Sequence, residues 1–103
     1  MRTRVAVWTT KARADVVEDH DHIAFYNPVA ATAFAREIFA KMRSAASLGL
    51  TGVDRSEYGE GLRSLAFRER IIFFHISETE LTVVRVLHGH QDISSADFMN
   101  IRD

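Results

Sequence analysis

The sequence contains no cysteine. Disulfides and thiolate metal sites are therefore excluded, and a reducing compartment is permitted. It has one proline and five glycines, and neither an internal repeat nor a low-complexity segment is visible. No apolar run approaches the roughly 18 to 20 residues needed to cross a bilayer. The apolar run after the basic start Met1-Arg2-Thr3-Arg4 is too short for a signal peptide. The expectation is a cytoplasmic protein with no membrane contact. A dominant charge is also missing: 13 Lys and Arg stand against 14 Asp and Glu, for a net charge of −1. No whole-molecule field draws nucleic acid, so any such contact needs a local basic patch.

What is present is ordinary for a soluble globular protein, with 47% hydrophobic and 26% charged residues. At 103 residues there is room for one core, so residues 1–103 are expected to form a single domain. A chain this long buries roughly 65% of its unfolded surface, enough to fold without staples.

The last third is the most strongly patterned. Arg70 to Ser77 and Leu81 to His88 are dense in β-branched and aromatic residues, and Glu78-Thr79-Glu80 breaks them. That is a hairpin, and its near-continuous apolar character predicts strands covered on both faces. Upstream, Thr3, Val5 and Val7 alternate with Arg4, Ala6 and Trp8 as a first strand. Thr9 or Thr10 can cap a helix over Lys11 to Tyr26, with Ala12, Val16 and Ile23 near one face. Asp19 and His20 interrupt that stripe.

Asn27-Pro28 is the clearest punctuation. Asn caps a second helix, Pro28 to Ser47, and proline takes its first position, where a missing N–H costs nothing. Phe34, Ile38, Met42 and Ala45 recur along it at three- and four-residue spacing, the mark of a core-facing stripe. The two helices form a helical hairpin. Leu48 to Gly61 reads as the longest loop and the most mobile stretch. Gly61 to Phe67 resumes an extended pattern, and Arg68-Glu69 turns it into the final hairpin. Ser94 or Ser95 can cap a short last helix, Ala96 to Ile101. The fold class is therefore α+β: strand, helical hairpin, three-stranded antiparallel meander and short C-terminal helix.

This order and its residues resemble the RelE/ParE superfamily of bacterial type II toxin–antitoxin toxins, the ParE branch most closely. The matching residues are Ala14-Asp15-Val16-Val17 on the first helix and Asn27-Pro28 with Ala30, Ala31 and Phe34 on the second. Gly61-Leu62-Arg63, Arg70-Ile71-Ile72-Phe73-Phe74 and Val84-Arg85-Val86-Leu87-His88-Gly89 with Asp92 complete the set. Two positions depart from the pattern: Asp19 stands where such sequences are usually apolar, and His90 where arginine is common. The resemblance implies a toxin neutralised by a cognate antitoxin, ParD-like or related, in a heterotetramer or larger hetero-oligomer. ParE toxins poison DNA gyrase, whereas RelE-type members cut messenger RNA on the ribosome. An inactive, antitoxin-bound member is a third reading.

The candidate site residues are Arg63, Arg85, His88, His90, Asp92 and Phe98, as contacts for target or antitoxin. If the chain were an endoribonuclease, Arg63 and Arg85 would hold phosphate and His88 or His90 would move the 2′-hydroxyl proton. The expectation is that Arg63 and Arg85 project near one another. Arg85 lies in a very apolar strand, so it needs a carboxylate or an edge, and Glu37 and Asp92 are the candidate partners. His88-Gly89-His90 reads first as a strand-ending turn. Two histidines so spaced, with Asp92, could bind a metal, but nothing else completes such a site, and no metal or cofactor is expected. Glu18 to His22 reads mainly as a solvated acidic helix face, within which Glu18 and His22 are spaced to pair. Phe98 and Ile101 either dock on the core or meet an antitoxin segment.

Overall fold

Helix entry and exit are set by side chains the sequence singled out. The computed structural model describes residues 3–101. β1 (Val5–Trp8) ends at Thr9, whose hydroxyl accepts the Ala12 amide at 3.0 Å and so caps α1 (Thr10–Tyr26). Asn27 then serves both helices. Its backbone amide donates to the Ile23 carbonyl, closing α1, and its side chain accepts the Ala30 amide at 3.1 Å, opening α2 (Pro28–Ser47).

The chain continues through β2 (Val53–Asp54), β3 (Arg63–Phe67), β4 (Arg70–Ile76) and β5 (Glu80–His88). The sheet order is β1-β5-β4-β3-β2, with β1 parallel to β5 and every other pair antiparallel. The expected three-stranded meander is β3-β4-β5. The segment expected to be wholly loop, Leu48 to Gly61, contributes the two-residue β2, held by Val53 opposite Ser64 and Asp54 opposite Arg63. So short a strand carries no two-residue period that a sequence could display.

The helical hairpin packs on one face of the sheet. Val16, Phe34, Ile38 and Met42 meet Ile72, Phe74, Leu81 and Val83 there, all buried. Fully burying side chains of this size stabilises by roughly 1.5 to 3 kcal/mol each. The opposite face holds a smaller core, Leu62, Phe73, Val84 and Leu87, covered by Tyr58, Ile93 and Phe98. Coverage on both faces is what the unbroken apolar runs of β4 and β5 require.

One expected element changes type. The C-terminal helix over Ala96 to Ile101 is instead a single 3-10 turn, Ser95–Phe98. Ser94 caps it as expected, but reciprocally: the Asp97 carboxylate accepts the Ser94 amide at 2.9 Å. Met99 leaves this turn in an extended conformation and Asn100 has a φ of 61°, so no second helical turn forms.

Candidate functional site

Phe73 pairs with Arg85 and Phe74 with Val83, so Val84 has no partner across the ladder. This bulge breaks the strand's alternation immediately before Arg85, as bulges do where a side chain must be re-aimed. Arg85 reaches the flank of β5 that lies beyond the end of β1. There its Nε and Nη2 donate to the two carboxylate oxygens of Asp15 on α1, at 2.8 and 3.1 Å. Its Nη1 donates to the Asp97 carbonyl at 2.8 Å. The partner of Arg85 is thus Asp15, neither Glu37 nor Asp92; Glu37 pairs with Arg68. The same Asp15 carboxylate accepts the Val86 amide at 2.9 Å. Arg85 and Asp15 are 14% and 10% exposed, so the pair is largely withdrawn from water and satisfied by fork geometry.

A second ion pair lies further along the same seam. Asp19 accepts from Arg70 Nε at 2.9 Å and stands 3.3 Å from His88 Nε2. Arg70 and His88 face each other in the β4–β5 ladder, and the Arg70 guanidinium lies 4.4 Å from the centre of the Phe34 ring. Asp19 therefore belongs to the sheet-facing side of α1 rather than to a solvated face. Glu18, Asp21 and His22 are exposed, as a solvated face requires. The spaced Glu18–His22 pair is replaced by His20 with Asp21 at 3.1 Å, while His22 meets the Tyr26 ring edge-on.

Arg63 and Arg85 are not brought together. β4 separates their strands, and Arg63 turns the other way, toward the β2 edge. It donates from Nε to the Thr51 carbonyl and from Nη2 to that of Gly52, the latter at 3.4 Å. It braces the loop that enters β2. His88 ends β5, its amide donating to Gln91 Oε1 at 3.0 Å, and Gly89-His90 forms the turn beyond. His88, His90 and Asp92 are exposed. Among the described residues no group of three or more His, Cys, Asp or Glu is placed to hold a metal. Phe98 packs on Phe73, with ring centres 4.7 Å apart, and against Tyr58 at 6.0 Å.

The residues that sequence reasoning missed are Asp15 and Gln91. Asp15 had a signal, since it falls one residue before the buried Val16 on the sheet-facing side of α1. Gln91 had none.

A mixed sheet thus carries a helical hairpin on one face, with its arginine-bearing exit strand tied to the first helix, an α+β architecture. The chain belongs to the family described as ParE toxin of the type II toxin–antitoxin system, parDE, whose model matches residues 6–93. Among solved structures it is similar to the chromosomal ParDE toxin–antitoxin system from P. aeruginosa, with a TM-score of 0.70 and 21% identity. That match covers 84% of this chain and 96% of the other. No curated protein matches.

Proposed function

We propose that this chain is the toxin of a type II pair that disables DNA gyrase by binding it, and that a cognate ParD-like antitoxin neutralises it. The observation that carries the non-enzymatic reading is the engagement, within the fold, of the two arginines expected to hold phosphate. Three guanidinium nitrogens of Arg85 and two of Arg63 are already donated to carboxylate or carbonyl oxygens within the fold. Arg70 is paired likewise. A nuclease of this fold needs cations free to hold phosphate. Membership of the ParE family favours gyrase over messenger RNA as the target.

The exposed His88, His90 and Asp92 at the exit turn form the surface through which the target or antitoxin is engaged. A heterotetramer follows if the antitoxin dimerises. The same exposed histidines are what favours the alternative, a ribosome-dependent endoribonuclease.

One antitoxin-free preparation tested for gyrase supercoiling and for ribosome-dependent message cleavage separates the readings. Gyrase-trapped cleaved DNA with intact message is the expected result. Cut message with normal supercoiling, abolished by changing His88 and His90 to Ala together, would replace the binding reading by the nuclease one.

A further inference from the structure

Among the described residues, the most exposed large apolar side chains sit where the two helices join. Phe25 and Val29, on either side of Asn27-Pro28, are 82% and 80% exposed, and Tyr26 is nearly as open. The helical period explains why. Phe25 lies nine residues, about two and a half turns, beyond the buried Val16, and so points away from the sheet. Val29 and Arg36, five residues before and two after the buried Phe34, share the opposite side of α2 from it. The exposed rings brace one another. Phe25 meets Tyr26 edge-on with centres 5.0 Å apart, and Tyr26 meets His22 at 5.9 Å. An aromatic side chain held in place loses little freedom when a partner covers it.

Beside this knob, the first turns of α2 form a trough of about 370 Å³, lined by Pro28, Val29, Thr32, Ala33 and Arg36. Charge is divided between the two helices. Asp21 is held by His20 and Glu37 by Arg68. Glu18 on α1 and Arg36 on α2 are exposed and make no hydrogen bond or ion pair among the described residues. Glu18 lies seven residues before Phe25, and Arg36 seven after Val29. Each charge therefore stands about 10 Å below the tip, one on each helix.

We propose that this face is the contact between two copies of the chain, related by a two-fold axis that runs along the helical hairpin. Such an axis sets α1 of one copy opposite α2 of the other, at the same depth from the tip. Phe25 then enters the other copy's trough and Glu18 meets the other copy's Arg36, each contact being made twice. Knob, hole and both signs of charge lie on one surface, which a self-complementary interface requires and a foreign partner does not. The area fits as well. Phe25 and Tyr26 with Val17 and Val29 offer on the order of 500 Å² of apolar surface. A standard interface takes about 800 Å² from each partner, and the helix surfaces out to Glu18 and Arg36 supply the remainder. The pairing stands apart from the toxin reading above.

The test follows the whole chain, without any partner protein, by sedimentation equilibrium over a range of concentrations. A dimer that dissociates on dilution is expected. Phe25→Glu, Glu18→Arg and Arg36→Glu should each weaken it at least about tenfold, because a charge then enters an apolar trough or faces its like. Mixed in equal amounts, the Glu18→Arg and Arg36→Glu variants should recover the dimer as a heterodimer, which a folding defect cannot imitate. All three positions are exposed, and unchanged far-ultraviolet circular dichroism checks that the variants are folded. A chain that stays monomeric at its highest soluble concentration leaves the tip to a different protein and overturns the proposal. So does a dimer indifferent to Phe25→Glu or to the single reversals, or one that the mixture fails to restore. Neither supercoiling nor message cleavage is read, so failure here leaves the toxin reading untouched.

Discussion

Asp15 stands where the next residues of β1 would be, with its carboxylate accepting both the Val86 amide and the Arg85 guanidinium, 2.9 and 2.8 Å away. One side chain thus replaces a missing rung of the ladder and neutralises the charge that the rung's neighbour carries. Its removal leaves the Val86 amide without its acceptor and the Arg85 guanidinium with no carboxylate, only the Asp97 carbonyl, in a site largely closed to water. Asp15→Ala is expected to destabilise by about 3 to 5 kcal/mol in urea unfolding. Asp15→Asn, which retains an oxygen for Val86, should lose less. Equal losses from the two substitutions would show that the charge, not the rung, is what matters.

Asp19 lets the two halves of an ion triad be weighed. Arg70 is 13% exposed, whereas His88 is 48% exposed. Asp19→Ala should therefore cost about 1 to 3 kcal/mol, chiefly by orphaning Arg70. His88→Ala should stay within about 1 kcal/mol, as for exposed pairs. Unfolding curves of the two variants settle it, and a larger loss at His88 contradicts the ranking.

Gly52 has a φ of +65°, and a Cβ there would overlap the Ser64 carbonyl oxygen and come within 2.9 Å of the Phe74 ring. Backbone and buried ring have no room to yield. Gly52→Ala is expected to cost at least about 2 kcal/mol, since strain and overlap add. A midpoint within error of the parent protein would disprove the close approach.

Asp54 carries the pH dependence that can be assigned. The Ser56 amide, donating at 2.7 Å, and then the Ser56 hydroxyl and Arg63, hold its carboxyl below the ordinary 3.8. A carboxyl whose folded value is depressed contributes stability that is complete above 3.8 and is lost as pH falls through the folded value. Carboxyl carbon chemical shifts followed in acid should give Asp54 a midpoint below 3.8. Ser56→Pro, which removes the donating amide, should raise it.

Local patterns carried most of the architecture. The Asn27-Pro28 junction, the α2 stripe and the β4–β5 hairpin are periodic or capped within a few residues, so propensity and pattern alone place them. The ParE family was legible because most of its matching residues lie on those elements, and the rest on α1 and at the start of β3. The short β2, the length of the last turn and the partner of Arg85 were not.

The sequence by itself determined the two long helices and the strands β1, β3, β4 and β5, because each one's hydrophobic period and caps act over one or two turns. Only the tertiary structure decided that β1 inserts parallel to β5 and stops short of its end. That stop exposes the flank that Asp15 fills from 70 residues away, and it puts Asp19 beside Arg70, 51 residues distant. No period links positions so far apart. Their meeting depends on sheet register, a bulge at Val84 and the docking of α1, which are properties of packed elements and not of any one stretch.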